Sequence, residues 1–252
     1  MHGTGTYFAS ALDHFLRSVL APGLATADGA PRAKTFVVFP DGGAHKRFYT
    51  MVHTRLFAGL PYDHILWIKK TRVGADITQA DGFNYVDEAG AERAYAAGTF
   101  PAGAHVILAD DFTQSGSTLM GGARMIRARA GPGTRVSAYV SHFVAKYDRA
   151  TVRAFSEKLH GAGSPLDHFY CTDSIPNVVR WLRDDCARRP GPSKVHVMPI
   201  APLVAQWIKA HPLAGRKAPR AGAPRADRAA LVACGVALGV ALGLLIGRRG
   251  RR

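Results

Sequence analysis

The chain has 252 residues, 47% of them hydrophobic, enough apolar content and length for one sizeable folded domain with extensions, which excludes a wholly disordered protein. Its formal net charge is +15, but Lys209 to Arg252 holds ten basic residues against one acid, Asp227, so the basicity mostly describes a tail and nucleic-acid binding is not expected. Three scattered cysteines, Cys171, Cys186 and Cys234, without CxxC spacing, exclude a disulfide framework and a zinc site and suit a reducing compartment.

Thr4 to Leu20 reads as an amphipathic helix, with Phe8, Leu12, Phe15, Leu16 and Val19 on one face. It is read as a docking helix. The scarcity of acids also allows a weak mitochondrial presequence, against which Asp13 and the single Arg17 weigh. Residues 1–24 are set apart as this helix and the start of a Gly-, Ala- and Pro-rich loop. Thr35 to Phe39 is a short apolar strand ending at Pro40-Asp41, and Lys46 to Leu60 has a helical pattern. His64 to Ile68 is the next strand and delivers Lys70 and Arg72. Thr71 to Glu92 has few periodic apolar positions and is expected to be a mobile flap. Strand and helix then alternate. His105–Ala109, Arg135–Val140, His168–Cys171 and Val195–Pro199 read as strands. Leu119–Ala130, Thr151–Leu159, Val178–Ala187 and Leu203–Ala210 read as helices. Repeated strand–helix–strand units predict an α/β domain over residues 25–210, with a parallel sheet of five or six strands. Cys171 falls in a strand and is expected to be buried packing.

Residues 211–228, rich in Pro, Ala, Gly and Arg, read as a disordered basic linker. Residues 229–247, AALVACGVALGVALGLLIG, carry no charge. As a helix that stretch is about 28 Å long, close to a bilayer core of roughly 30 Å, and it predicts a transmembrane helix. Gly235, Gly239, Gly243 and Gly247 make a small-residue stripe of the kind found at helix contacts in membranes. The basic tail at 248–252 completes the pattern of a single-pass C-terminal anchor. The domain would face the cytosol, from a mitochondrial outer membrane or a peroxisome-type organelle. Arg228 and the tail flank the span on both sides, so the distribution of positive charge does not set its orientation.

The segment HVILADDFTQSGST, residues 105–118, carries the chemistry. An apolar strand ends in two carboxylates, Asp110 and Asp111. A small-residue loop follows, and a helix begins near Leu119. Backbone N–H groups at such a loop and helix start can hold a phosphate, and the helix dipole favours the negative charge. Hydroxyls of Ser115, Ser117 and Thr118 can add donors, and the carboxylates can accept from sugar hydroxyls. Phosphate on one side and vicinal hydroxyls on the other describe a ribose 5-phosphate group. The plainer reading is a loop whose Asp and Ser residues only cap a helix.

The segment resembles the ribose-phosphate site of type I phosphoribosyltransferase folds, and within them the C-terminal half of the ribose-phosphate pyrophosphokinase family. Residues 136–144 (VSAYVSHFV), 171–176 (CTDSIP) and 39–48 (FPDGGAHKRF) are similar to further stretches of that family, nearest its plant-like branch. Lys70-Thr71-Arg72 sits where the family has a catalytic Lys-x-Arg. The resemblance covers roughly residues 34 to 205. It implies transfer of pyrophosphate from ATP to ribose 5-phosphate, with Mg²⁺. It implies that Asp110 and Asp111 hold the ribose hydroxyls and that Gln114, Ser115, Gly116, Ser117 and Thr118 wrap the phosphate. Asp41 would contribute to Mg²⁺ binding, and Lys70 and Arg72 would act as catalytic residues over the transferred group. Two positions depart from the common pattern: Gln114 stands where many members have Asp, and Ser117 where they have Gly.

The family's first domain, which supplies most ATP contacts, has no counterpart in this sequence, so a partner is expected to provide that half. Family members form dimers and hexamers, which implies a homo-oligomer or a hetero-oligomer with a full-length synthetase. Two alternatives accompany the enzyme reading. One is a non-catalytic, membrane-tethered regulatory or scaffold subunit. The other is a phosphoribosyltransferase that joins a base to ribose, for which no base-binding hood is evident.

Overall fold

The computed structural model describes residues 34–53, 60–73, 76–96 and 99–210. The expected helix at Thr4–Leu20, the linker at 211–228 and the membrane span at 229–247 lie outside them. Among the described residues, no helix is long and apolar enough to cross a membrane.

The elements run β1 (Thr35–Phe39), α1 (Gly42–Met51), β2 (Ile65–Val73), β3 (Asp76–Val86), β4 (Glu92–Ala94) and β5 (His105–Thr113). They continue with α2 (Ser117–Arg127), β6 (Arg135–Phe143), α3 (Arg149–His160), β7 (His168–Thr172), α4 (Pro176–Cys186), β8 (Val195–Met198) and α5 (Ala201–Ala210). The eight strands form one sheet in the order β4-β3-β2-β1-β5-β6-β7-β8. The six strands from β2 to β8 in that order pair in parallel, and β3 and β4 extend the β2 edge antiparallel. The expected parallel sheet is therefore present and enlarged by a hairpin. The stretch expected to be a flap, Thr71 to Glu92, is largely strand. Trp67 pairs with Asn84, Lys70 with Gln79 and Arg72 with Ile77, with a register shift between Ile68 and Lys70.

Strands of a parallel sheet are covered on both faces and so read as continuous apolar runs. In β1, Phe36 and Val38 point to one core, while Val37 and Phe39 point to the other. The first core is covered by α2, α3 and α4 through residues such as Leu119, Ile126, Phe155, Leu159, Val178 and Leu182. The second receives Ala44, Phe48 and Met51 from α1. Gly122 lets α2 approach the sheet: a Cβ there would lie 2.9 Å from Ile68 Cδ1 and 3.1 Å from Leu108 Cδ2. Cys171 and Cys186 are buried free thiols, as expected of packing cysteines.

The strand order reverses between β1 and β5. The chain moves from β1 outward to β2, then returns to place β5 on the other side of β1. Ligands of open α/β sheets bind at such a switch point, outside the C-terminal strand ends. Asp41 follows β1, and Asp110 and Asp111 lie in the C-terminal half of β5, so both arms of the switch carry carboxylates.

Candidate functional site

One cavity of about 410 Å³ sits at this switch point. It brings together Asp41, Asp110, Asp111, Gln114, Ser115, Gly116, Ser117 and Thr118, all of them singled out in the sequence. Asp41 meets residues 69 to 77 positions further along the chain because β1 and β5 are paired in parallel, Val38 beside Leu108. 

The loop and helix behave as the sequence implies. β5 runs on through Thr113, further than expected, so Asp110 and Asp111 lie within the paired strand, with Asp110 opposite Val140. Gly116 is the N-cap of α2 and has a left-handed backbone, φ +72°. Only glycine takes that conformation cheaply, and a Cβ here would also lie 2.4 Å from the Phe155 ring. No side chain caps α2. Its first-turn N–H groups have no intrahelical acceptors and are directed toward the loop, as an anion site requires. Ser115 Oγ and Ser117 Oγ are 2.9 Å apart, and the side chains of Ser117 and Thr118 are exposed.

Asp41 is the N-cap of α1: its Oδ1 accepts from Ala44 N at 2.9 Å. The helix consequently starts at Gly42, four residues before the sequence pattern indicated. Burial and the adjacent Asp111 carboxylate, with a smaller effect from Asp41, push the Asp110 carboxyl up to about 7. The Asp111 amide opposes this by donating to Asp110 Oδ1 at 2.9 Å. Converging hard oxygen donors that repel one another fit a divalent cation completed by waters and substrate oxygens. They do not form a closed protein cage, since no group of three or more His, Cys, Asp or Glu among the described residues could hold a metal.

The sequence reading missed Arg47. From α1 it lines the same cavity and its guanidinium pairs with Asp111. It thus supplies a cation to the wall that carries the carboxylates, where it offsets their charge. Nothing local marks it, because its partner is 64 residues away. Lys70 and Arg72 lie on the β2 arm of the antiparallel hairpin and are not on the β5–α2 loop. On the next strand end, His142 Nδ1 is 2.7 Å from Ser174 Oγ, and burial lowers its pKa. The turn after β6 places three successive non-glycine residues, Ala145, Lys146 and Tyr147, at positive φ.

No family model matches the sequence. Ribose-phosphate pyrophosphokinase 4 of Arabidopsis thaliana is 30% identical over 147 residues, covering 58% of this chain and 36% of that protein. Ribose-phosphate pyrophosphokinase 3, chloroplastic, of Oryza sativa is 28% identical over 152 residues, 59% of this chain and 30% of that protein. The chain thus spans about a third of the length of the curated relatives it matches. Among solved structures, phosphoribosylpyrophosphate synthetase from Mycobacterium smegmatis aligns with a TM-score of 0.44 at 20% identity, covering 80% of this chain and 49% of that one.

Proposed function

Because the chain is a relative of the ribose-phosphate pyrophosphokinases, we propose that its strand-end cavity binds ribose 5-phosphate and serves pyrophosphoryl transfer from ATP. The observation that carries this reading is the placement of Asp110 and Asp111 across one cavity from the uncapped N-terminus of α2. The carboxylates accept from the sugar's hydroxyls. Gln114 to Thr118 enclose the 5-phosphate with backbone N–H groups and hydroxyls. Arg47 holds Asp111 in position and adds a positive charge to the cavity that takes the anionic ligand.

In the proposed reaction the ribose 1-hydroxyl attacks the β-phosphorus of ATP. The bond from that phosphorus to the oxygen bridging the α-phosphate breaks, AMP leaves with that oxygen, and the hydroxyl proton passes to solvent. Such a reaction depends on holding the reactants in line and neutralising charge. Asp41 would contribute to holding Mg²⁺ when it is bound, with waters and substrate oxygens as the ion's other ligands. The ion would neutralise phosphate charge. Lys70 and Arg72, carried on the β2–β3 hairpin, would close over the transferred group and stabilise its developing charge. A partner subunit, a second copy or a full-length synthetase, would complete the ATP contacts. The C-terminal segment at 229–247 would anchor the assembly to a membrane with this domain on the cytosolic side.

The test is AMP release from ATP, ribose 5-phosphate and Mg²⁺, with the full chain alone and mixed with a full-length synthetase. The proposal expects AMP formation that requires ribose 5-phosphate and falls at least 100-fold in Lys70→Ala, with ribose 5-phosphate binding retained. Unchanged AMP release in Lys70→Ala, or none under either condition, would reject the catalytic reading.

A further inference from the structure

α3 and α4 lie side by side over the first core and turn their other faces to solvent. Contacts at both ends fix that pairing. At one end the Arg149 guanidinium lies 4.9 Å from the Trp181 ring centroid, and Tyr147 meets the same ring edge-on at 5.5 Å. At the other, Arg189 Nε donates to Ser156 Oγ at 2.7 Å, and its guanidinium lies 3.8 Å from the Glu157 carboxylate. The two helices therefore run parallel and share one outer surface. That surface is rich in cations: Arg149, Arg153 and Lys158 are exposed on α3, and Arg180 and Arg183 on α4. The exposed acids beside them are Asp148, Glu157 and Asp184. Asp148 is engaged in capping α3, where it accepts from Ala150 N and Thr151 N, and Glu157 faces Arg189. Among the described residues, Arg153, Lys158 and Arg183 pair with no carboxylate. An aromatic pair stands at the head of the surface. Ala145, Lys146 and Tyr147 hold positive φ, a costly backbone for residues with side chains. This turn leaves Tyr147 56% exposed, with its hydroxyl accepting from Asn177 Nδ2 at 2.6 Å.

We propose that the outer surface of α3 and α4 docks on an anionic lipid membrane. Each lysine or arginine held near such a surface strengthens binding about fivefold, and the long stems of both side chains lie along the headgroups. Tyrosine and tryptophan, with an apolar body and a polar edge, suit the headgroup level that the cations would reach. A single-stranded nucleic acid calls instead for rings set along a cationic groove. Here the rings sit at one end of the helices and are engaged with each other and with Arg149. The choice of a lipid over an acidic polypeptide rests on the proposed anchor at 229–247, which would hold the chain at a membrane. None of these residues lines the strand-end cavity, so the docking surface and the ribose 5-phosphate site are separate.

The test mixes the full chain with vesicles of phosphatidylcholine, alone or with a third of phosphatidylserine. Arginines are labelled with phenylglyoxal and read by mass spectrometry. Arg153 and Arg183 should label at least about fivefold more slowly on the anionic vesicles, and raised salt should abolish the protection. Arg93, exposed on β4, should label equally on both. Arg153→Gln with Arg183→Gln should remove the protection of Arg149 and Arg180 and leave ribose 5-phosphate affinity unchanged. Equal labelling on the two vesicle types, or equal protection of Arg93, would overturn the inference. Protection of Arg153 and Arg183 by polyglutamate or a single-stranded oligonucleotide, in place of the anionic vesicles, would overturn it too. Retention on the neutral vesicles reads the anchor separately. A chain that leaves neutral vesicles but shows the protection on anionic ones would support this surface while rejecting the anchor.

Discussion

Replacing Asp110 by Asn isolates the electrostatics of the strand-end carboxylates. Burial and Asp111 raise the Asp110 pKa from the ordinary 3.8 to about 7. A rise of roughly 3 units corresponds to about 4 kcal/mol at ~1.4 kcal/mol per unit. An acid whose pKa is higher in the folded chain binds more protons folded than unfolded between those two values. Folding stability therefore falls as pH rises through that window. The favourable contribution of the protonated group is complete below about pH 4 and lost above about pH 7. Asn has nearly the same shape, carries no charge, and its side-chain oxygen can still accept from the Asp111 amide. Asp110→Asn should match the wild type at pH 4 and exceed it at pH 8 by up to about 4 kcal/mol, an upper limit because water screens the partly exposed carboxyl. Urea denaturation of both proteins in metal-free buffer at pH 4, 6 and 8 measures the difference. A constant difference across that range would refute the reasoning.

Gly116→Ala should destabilise the protein by at least about 2 kcal/mol, from the left-handed backbone and the clash with Phe155, as read by thermal denaturation. A loss under about 0.5 kcal/mol would mean that the loop rebuilds itself. Arg127 donates from Nε to Pro165 O at 2.9 Å, from Nη1 to Thr134 O at 2.7 Å and from Nη2 to Asp167 Oδ2 at 2.5 Å. Lysine cannot reproduce that fork, so Arg127→Lys should cost about 1–3 kcal/mol in urea titration, and a neutral result would contradict it. Arg47 is exposed, so Arg47→Ala should change stability by no more than about 1 kcal/mol. The same substitution should weaken ribose 5-phosphate roughly tenfold by calorimetry; unchanged affinity would remove Arg47 from the site.

Much of this architecture was legible because parallel strands are buried on both faces and announce themselves as apolar runs. Thr35–Phe39 matched at both ends. The β3–β4 extension did not, because β4, fully exposed at the sheet edge, needs no apolar face. Hairpin pairing holds β4, while β3 is also anchored by Phe83, buried in the core. The start of α1 is not marked by the apolar pattern, because Gly42 and Gly43 are poor helix formers, although Asp41 just before them is a strong N-cap. α4 begins at Pro176, where a proline in the first turn gives a start signal that the apolar pattern from Val178 overlooked. The carboxylates and the phosphate loop share one contiguous stretch and could be read together. Arg47 could not, since its pairing with Asp111 joins elements 64 residues apart in the chain.

The most direct test is calorimetric titration of the full chain with ribose 5-phosphate, ribose and inorganic phosphate, each against wild type and Asp111→Asn. Ribose 5-phosphate should bind at least tenfold more tightly than ribose or phosphate, and Asp111→Asn should remove most of that advantage. Ribose 5-phosphate binding no tighter than inorganic phosphate, or equal in the two proteins, would contradict that expectation.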